Sequence, residues 1–195
     1  MQDTPGKIEN ITFAQGADST CPPPRGIDQR PGQIICGDID MRIDTHGVWH
    51  YQGSPINPHA LVKLFSTVVR RDADGQYWLI TPAEMACIHV EDAPFLAVEV
   101  DVTNDKGVRC LKFRTNVDKW VTADADHPIR VDTNAKSGEP RPYIQLTKDG
   151  TEARIIRSVF YELAELAIEA DINGKRILCI ESCGARFQMG AATET

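Results

Sequence analysis

The sequence predicts an α+β fold with mostly antiparallel sheet, built from duplicated β-β-α-β units. Three observations carry this prediction. Polar and apolar residues alternate over several short segments, as they do in half-buried strands. Two other segments repeat apolar residues at helical spacing. Each helical segment follows a predicted hairpin and precedes a predicted strand, so the same order of elements occurs twice, about a hundred residues apart.

The first unit opens with a hairpin whose register the turn predicts. Asp44-Thr45-His46-Gly47 is typical of a type I turn closed by a glycine bulge. The bulge pairs Ile43 with Trp49 and Met41 with Tyr51, which gathers the apolar side chains on one face, whereas a two-residue loop would set the aromatic rings opposite charged residues. The other face then carries four polar side chains, those of Asp38, Asp40, Arg42 and His50.

A helix and a strand complete the first unit. Asn57 is predicted to cap a helix that has Pro58 at its first position. An apolar stripe follows at helical spacing, formed by Leu61, Leu64, Phe65 and Val68. We expect the turn at residues 72–75 to end this helix and residues 76–81 to form a strand.

The second unit repeats this order. Residues 143–147 and 151–156 are predicted strands joined by a two-residue turn at Asp149-Gly150. Ser158 is then expected to cap a helix with the apolar stripe Val159, Leu163, Leu166 and Ala170. Asn173-Gly174 would end that helix, and residues 175–182 would form the last strand.

A further hairpin is predicted between the two units. Pairing Thr103 with Val108 places Val100 against Leu111 in the core. The same register sets Glu99 opposite Lys112 and Val98 against Phe113. Trp120 is expected to anchor a short strand within residues 116–122.

These elements group into three parts. Residues 1–34 are an N-terminal arm whose proline run, at positions 22–24, favours an extended strap or a frayed tail. Residues 35–82 form a first α+β domain, and residues 83–195 form a second, larger α+β domain. The boundary is placed near Pro82.

Composition excludes several classes of protein. The 195-residue chain is 42% hydrophobic and 25% charged, which is typical of a globular protein and not of a disordered or fibrous one. Its 21 Lys+Arg and 28 Asp+Glu give 21 − 28 = −7, which argues against long nucleic acids and anionic membranes as partners. A basic pocket for a small anion is compatible with that balance. Because no export signal or membrane-spanning segment is evident, we expect a cytoplasmic protein.

The six cysteines are expected to be thiols, because the cytoplasm is reducing. Cys179 and Cys183 are closest in sequence, but a strand would separate them by about 13 Å, too far for a disulfide or a shared metal. They could approach only if the chain turned at Gly184. Buried structural thiols are the favoured interpretation, with a redox or metal role as the alternative.

No familiar catalytic motif is present, so an enzyme is less favoured than a binding protein, and no cofactor is predicted. Asp124, Asp126 and His127 have side chains that ligate metals. The favoured interpretation is instead a loop whose aspartates bind backbone groups. Asp72-Ala73-Asp74-Gly75 resembles the start of a calcium loop, but it lacks the later ligands, so a helix-ending turn is favoured.

One group of polar residues is the candidate ligand site. Arginine and lysine suit phosphate or carboxylate groups, and an aromatic ring can stack on a flat ligand. The alternative is that these residues form ordinary surface ion pairs. The candidate residues are Asp40, Arg42, His50, Lys63, Arg70, Lys112, Arg114 and Trp120.

Several long blocks of sequence resemble one bacterial family, domain of unknown function twelve eighty-five. They occur in the family's order at residues 36–43, 49–56, 61–66 and 113–121. The resemblance implies a duplicated core whose C-terminal part is similar to pleckstrin-homology-like folds. It also implies a nucleotide-like ligand in a groove between the two domains and a role in signal transduction.

The leading hypothesis is therefore a non-catalytic ligand-binding module that binds a small anionic ligand, such as a nucleotide, between its two domains. A protein-interaction module is the first alternative, so a protein partner stays open. The second alternative is a metal-dependent enzyme that uses Asp124, Asp126, His127 or His50.

Overall fold

The structure, a computed structural model of the chain, describes residues 21–105, 107–135, 137–172 and 174–191. It divides into two compact units, with the division between Asp92 and Ala93. The predicted boundary near Pro82 would assign residues 84–90 to the second unit. Those residues form a strand in the middle of the first unit's sheet, because they pair on both sides with strands of that unit.

The first unit is a mixed sheet with one helix. Its elements, in chain order, are β1 Ile34–Ile43, β2 Trp49–Tyr51, β3 Ser54–Pro55, α1 His59–Ser66, β4 Val69–Arg71, β5 Tyr77–Ile80 and β6 Glu84–Val90. The sheet order is β3-β2-β1-β6-β5-β4. Two antiparallel meanders are thus joined through the parallel pair of β1 and β6.

The second unit contains a six-stranded sheet, one helix and a smaller sheet. Its elements are β7 Phe95–Asp105, β8 Val108–Thr115, β9 Trp120–Thr122, β10 Ile129–Thr133, β11 Pro140–Gln145, β12 Glu152–Ile155, α2 Arg157–Glu165, β13 Ile168–Ile172, β14 Lys175–Ser182 and β15 Ala185–Ala191. The larger sheet has the order β10-β11-β12-β7-β8-β9, and the smaller one β13-β14-β15.

The two larger sheets share one topology. Read in the reverse direction, the second sheet is β9-β8-β7-β12-β11-β10, which is the order of the first sheet with every strand number raised by six. In both sheets the first and last of the six strands form the central parallel pair. The fold is therefore α+β-like and mostly β, with a six-stranded sheet as the repeated unit. The predicted β-β-α-β repeat was wrong in its boundaries, because its second copy begins in β11 and ends in the smaller sheet.

The first hairpin has the predicted register. Ile43 pairs with Trp49, and Met41 pairs with Tyr51. Gly47 supplies the positive φ of 73° that the bulge requires. Ile43 and Trp49 are fully buried, and the Trp49 ring stacks on the Phe65 ring of α1.

Both helices are shorter than predicted, and neither predicted cap forms. α1 has Pro58 at its N-cap and α2 has Ile156, and neither N-terminus has a side-chain capping hydrogen bond. α1 ends at Ser66, so the turn at residues 72–75 closes the β4–β5 hairpin instead of ending a helix. Val159 and Leu163 of α2 are buried as predicted, but Ala170 belongs to β13.

The hairpin of β7 and β8 is shifted by two residues from the predicted register. Val102 pairs with Leu111, and Val100 pairs with Phe113. A shift of two residues leaves side chains on their predicted face, because the side-chain period of a strand is two. A bulge between Ala97 and Glu99 makes an exception at one end, where Ala97 pairs with Thr115 and is fully buried. Trp120, predicted to anchor a short strand, begins β9 and is 48% exposed.

Four of the six cysteines form disulfides, which corrects the expectation of thiols. Cys21 is bonded to Cys87 within the first unit, and Cys110 is bonded to Cys183 within the second. Cys36 and Cys179 are free and buried.

The described part of the arm lies against the first unit as a strap. The Cys21 side chain and that of Ile27 pack on the cluster of Trp78 and Met85. The buried Gln33 side chain donates a hydrogen bond of 2.6 Å to the Thr81 carbonyl. Residues 1–20 of the predicted arm lie outside the described residues. Neither α1 nor α2 is long and apolar enough to cross a membrane, and these are the helices of the described residues.

Candidate functional site

The predicted site residues of the first hairpin are engaged with their own neighbours. Arg42 forms an ion pair and hydrogen bond with the Glu91 carboxylate. The His50 ring lies 3.0 Å from Asp44 Oδ2. Asp40 is exposed on the same strand, with a φ of 53°. The Arg42 and His50 contacts hold the hairpin and its turn together, whereas Asp40 takes part through its backbone.

Lys63 and Arg70 belong to other elements of the first unit. Lys63 is in α1, and Arg70 is on β4, which is an edge strand three positions from β1 and therefore about 14 Å from it. The Arg70 guanidinium donates to the carbonyls of Val69, at 2.6 Å, and Thr67, at 3.2 Å. The first sheet therefore does not bring Arg70 to Arg42.

The remaining three predicted residues share one face of the second unit's larger sheet. Arg114 is opposite Trp120 in register, and Lys112 lies two residues along the same strand. The Arg114 guanidinium binds Glu99 at 2.6 Å and Asp118 at 2.9 Å. Its donors are thus largely used by carboxylates of the chain itself, which supports the surface ion-pair interpretation for Arg114.

The loop at Asp124 is built as a hydrogen-bonded turn. Asp124 Oδ1 accepts hydrogen bonds from the Asp126 and His127 N–H groups, and the His127 ring lies 3.0 Å from the same oxygen. Burial alone would raise the pKa of Asp124, but these hydrogen bonds outweigh it and lower the pKa. Among the described residues, no group of three or more His, Cys, Asp or Glu side chains is arranged to hold a metal ion.

Asp72 likewise organises a turn. Its Oδ1 accepts hydrogen bonds of 2.9 Å from the N–H groups of Asp74 and Gln76. Its Oδ2 accepts a 3.0 Å hydrogen bond from the buried Trp78 indole. The carboxylate is therefore occupied by protein donors on both oxygens.

A pocket in the second unit gathers cations that the sequence did not single out. It lies where β12 passes into α2, next to the β10–β11 loop, and has a volume of about 430 Å³. Its walls combine charged, aromatic and aliphatic side chains, namely Asn134, Glu139, Pro140, Arg141, Pro142, Arg154, Ile155, Ile156, Arg157, Phe160 and Tyr161. Three arginines and one glutamate give these walls a net charge of 3 − 1 = +2.

Three different elements supply the arginines. Arg154 of β12 is directly opposite Tyr143, so Arg141 of β11 is its diagonal neighbour on the same face. Such a diagonal places the two Cβ atoms about 7 Å apart, which lets both side chains reach one anionic group. Arg157 begins α2, donates to the Tyr161 hydroxyl at 2.8 Å and lies 3.8 Å from Glu139.

Arg141 differs from the other arginines of this sheet, because among the described residues it forms no ion pair and no side-chain hydrogen bond. The same is true of Lys112. Arg130, on the adjacent strand, forms a two-point ion pair with Glu152 at 2.6 Å and lies over the Tyr143 ring. That ion pair raises the pKa of Arg130 above its usual value. Arg130 therefore supports the sheet, whereas Arg141 is available to a ligand.

These arginines were not among the residues predicted from the sequence. Arg141 lies just outside the predicted strand at 143–147, so no face was assigned to it. Extending the predicted strand by two residues towards its N-terminus, in the register set by the Asp149-Gly150 turn, would have placed Arg141 and Arg154 on one face.

The comparisons with known proteins agree on one family. The family model "Domain of unknown function (DUF1285), N-terminal domain" matches residues 30–93, and "Protein of unknown function (DUF1285), C-terminal domain" matches residues 94–189. No curated protein matches the chain. A solved DUF1285 structure from Silicibacter pomeroyi DSS-3 is 39% identical with a TM-score of 0.73, covering 80% of this chain and 82% of that one. A second, from Shewanella baltica OS155, is 24% identical with a TM-score of 0.49, covering 65% of this chain and 91% of that one. The chain therefore belongs to the DUF1285 family.

Proposed function

We propose that this chain is a non-catalytic ligand-binding module that takes a small anionic ligand of nucleotide-like size, with a role in signal transduction. The observation that carries the proposal is the arginine-lined pocket of the second unit, with the unpaired Arg141 on its wall. The proposal therefore assigns the ligand to this pocket. The groove between the two domains that was expected from the sequence stays a prediction.

The charge of the pocket supports the proposal. The whole chain carries −7, whereas the pocket walls carry +2. A guanidinium binds carboxylate or phosphate oxygens through two parallel hydrogen bonds, so Arg141 has the chemistry to hold an anion.

The size of the pocket supports the same conclusion. A volume of about 430 Å³ lies within the range of pockets that hold small organic ligands. Phe160 and the proline and isoleucine side chains give it apolar walls, as is usual in such sites.

A pleckstrin-homology-like fold for the second unit belongs to this proposal as well, supported by its mostly antiparallel strands and its single described helix. So does cytoplasmic residence, although the two disulfides favour an oxidising environment.

A thermal-shift screen with small anions tests the proposal. The panel contains nucleotides, sugar phosphates, aromatic phosphates and di- and monocarboxylates. A ligand at ten times its Kd stabilises the folded unit by about 1.4 kcal/mol, which raises the Tm by roughly 6–10 °C for a unit of this size.

Two variants identify the site. Arg141→Gln should abolish the shift without lowering the Tm of the free protein, because Arg141 makes no bond to the rest of the described chain. Arg176→Gln is the matched control, since Arg176 is exposed on β14 and outside the pocket. If no anion in the panel raises the Tm, or if the shift survives in Arg141→Gln, the proposal is wrong.

A protein-interaction module is the second candidate, and Trp120 favours it. This large ring is 48% exposed on β9, an edge strand of its sheet. Exposed aromatic residues are enriched at protein interfaces. Loss of a captured protein partner on Trp120→Ala, with no anion binding to the wild type, would favour this candidate over the first.

A further inference from the structure

We infer that the Cys21–Cys87 disulfide is a redox latch, which holds the strap of residues 21–33 on the first sheet when oxidised and releases it when a dithiol reduces the bond. The inference is independent of the ligand pocket, because the bond and the strap both belong to the first unit. Its support is the small number of other contacts that the strap makes and the accessibility of one of the two sulfur atoms.

Few noncovalent contacts hold the first part of the strap. Most of its side chains are exposed, whereas those of Cys21 and Ile27 pack on the buried cluster of β5 and β6. The Ala73 N–H of the β4–β5 turn donates a 2.9 Å hydrogen bond to the Arg25 carbonyl. The exposed ion pair of Arg25 and Asp74 adds little. Because ordering a chain segment costs conformational entropy at every residue, we expect these contacts to depend on the covalent bond.

The second part of the strap is attached independently of the disulfide. The buried Gln33 side chain donates to the Thr81 carbonyl at 2.6 Å and accepts from the Arg30 N–H at 2.9 Å. The Ile34 N–H then donates to the Ala83 carbonyl at 2.8 Å, where β1 begins. Reduction is therefore expected to release residues 21–29 and to leave the sheet intact.

The two sulfur atoms differ in accessibility, which defines the course of the reduction. Cys87 is 6% exposed, whereas Cys21 is only half-buried. A thiolate of the dithiol attacks Cys21 Sγ, the S–S bond breaks, and Cys87 leaves with the bonding electron pair and takes up a proton. The second thiol then attacks the mixed disulfide, which releases Cys21 as a thiol and oxidises the dithiol to a disulfide. Cys36 is not the attacking group, because it is buried and burial raises its pKa.

Release of the strap would uncover an apolar face of the first sheet. Trp78 and Met85 are fully buried, and Ile27 of the strap packs on their cluster. The redox state of one bond would thereby control whether this cluster is covered. A reducing compartment would open the strap, and an oxidising one would close it.

The Cys110–Cys183 disulfide lacks this arrangement. The Cys183 N–H donates to the Arg109 carbonyl at 2.7 Å, and Ser182 Oγ accepts a hydrogen bond from the Leu111 N–H. The turn between β14 and β15 therefore stays bonded to β8 when this disulfide opens. This second bond is accordingly structural, and its removal is the matched control for the latch.

Native-state hydrogen exchange by NMR tests the latch, with dithiothreitol as the reductant. The Ala73 N–H has its acceptor on the strap, whereas the Gln76 N–H of the same turn bonds to Asp72 Oδ1 at 2.9 Å. On reduction we expect the Ala73 amide to exchange faster by about tenfold or more and the Gln76 amide to change by less than about threefold. Unchanged exchange at Ala73, or equal acceleration at both amides, would overturn the inference.

Two cysteine variants locate the effect without any reductant. Cys21→Ser removes the latch, so its Ala73 amide should exchange as fast as in the reduced wild type. Cys110→Ser opens the other disulfide and should keep the slow exchange of the oxidised wild type at Ala73. Circular dichroism confirms that each variant is folded. Slow exchange in Cys21→Ser, or fast exchange in Cys110→Ser, would contradict the assignment of the latch.

A redox titration tests the coupling from the opposite direction, because a bond that holds the strap must itself be stabilised by the docked strap. Equilibration in mixtures of oxidised and reduced dithiothreitol, followed by alkylation and mass spectrometry, gives the equilibrium constant of the Cys21–Cys87 bond. Ile27→Ala weakens the docked strap and should shift this constant towards the dithiol by about three- to tenfold. Asp28→Ala, exposed on the same strap, should leave it unchanged. The same constant in Ile27→Ala and the wild type would refute the inference.

Discussion

The Ser182 hydroxyl connects two strands of the second unit, and its removal should destabilise that unit. Ser182 is fully buried at the end of β14. Its Oγ accepts a 2.8 Å hydrogen bond from the Leu111 N–H of β8 and donates a 2.6 Å hydrogen bond to the Ala123 carbonyl, just beyond β9. The Ala123 N–H donates directly to the Leu111 carbonyl at 2.9 Å. The Leu111 N–H and the Ala123 carbonyl do not bond to each other but are both bonded to the Ser182 hydroxyl, which lies between them.

The cost of Ser182→Ala follows from the two backbone groups that would lose their hydrogen-bond partner, the Leu111 N–H and the Ala123 carbonyl. Both residues are fully buried, so neither group can form a hydrogen bond with water instead. A buried backbone group without a partner costs about 1–3 kcal/mol. Two such groups give a loss of about 2–6 kcal/mol, and we expect about 3 kcal/mol after local adjustment. Folded domains are stable by roughly 5–15 kcal/mol, so this loss is a large fraction of the total.

Native-state hydrogen exchange by NMR is the assay that locates the effect. In Ser182→Ala the Leu111 amide should exchange faster by a factor that corresponds to about 3 kcal/mol, which is roughly 150-fold. Urea unfolding of the same unit should show a loss of similar size. Ser158→Ala, an exposed serine in α2, is the matched control and should change stability by less than about 0.5 kcal/mol. A loss below 0.5 kcal/mol in Ser182→Ala, with unchanged protection at Leu111, would refute the reasoning.

Three other predictions concern different groups. Thr151 Oγ1 is buried and has no hydrogen-bond partner among the described residues, so Thr151→Val should leave the urea midpoint unchanged or raise it by an amount equivalent to about 1 kcal/mol, and a clear loss would show that the hydroxyl has a partner. Burial would raise the pKa of Asp44, but hydrogen bonds from the Val48 N–H, the His50 ring and the His46 N–H outweigh it and lower the pKa. A lowered pKa stabilises the fold above the pKa of an unfolded aspartate, about 3.9, and this contribution is lost as the pH falls through the folded value. The urea midpoint should therefore fall more steeply below pH 4 in the wild type than in Asp44→Asn, and parallel curves would contradict the prediction. Alkylation of the purified, unfolded protein without reductant should modify Cys36 and Cys179 only, and opening the 73-residue Cys110–Cys183 link with Cys110→Ser should cost about 4 kcal/mol by the chain-entropy estimate; modification of all six cysteines would overturn both expectations.

Local turn chemistry explains why the sequence could predict the first hairpin. At the Asp44 turn, a single loop length places Gly47 where the bulge requires a positive φ and also gathers the apolar residues on one face. The hairpin of β7 and β8 offered no such test, because shifting it by two residues keeps each side chain on the same face of the sheet. Its predicted register was accordingly wrong by two, although its strands, and its faces beyond the bulge at Ala97, were right.

The helix ends could not be predicted for a related reason. Val68 continues the apolar spacing of α1, yet α1 ends at Ser66 and Val69 begins β4. Short apolar runs fit a helix and a buried strand equally well, so tertiary pairing with β5 decides between them. The disulfides were missed because a reducing compartment was assumed, and the cysteines lie 66 and 73 residues apart, where spacing carries no information about contact.

The same distinction separates the predicted site from the pocket. The sequence analysis selected cations by residue type on predicted faces, and most of those that it selected are used by the chain itself, as Arg42 is by Glu91 and Arg114 by Glu99. Residue type alone cannot tell such a cation from an available one, because the difference lies in whether a carboxylate is bound to it. Arg141 forms no ion pair among the described residues: Asp132 lies directly opposite it in register, but Arg130 binds that carboxylate as well as Glu152. Because carboxylates of the chain itself engage the guanidinium groups of Arg42 and Arg114, replacing either should change ligand binding no more than Arg176→Gln does. A binding defect in Arg114→Gln equal to that of Arg141→Gln would show that the predicted face, and not the pocket, is where the ligand binds.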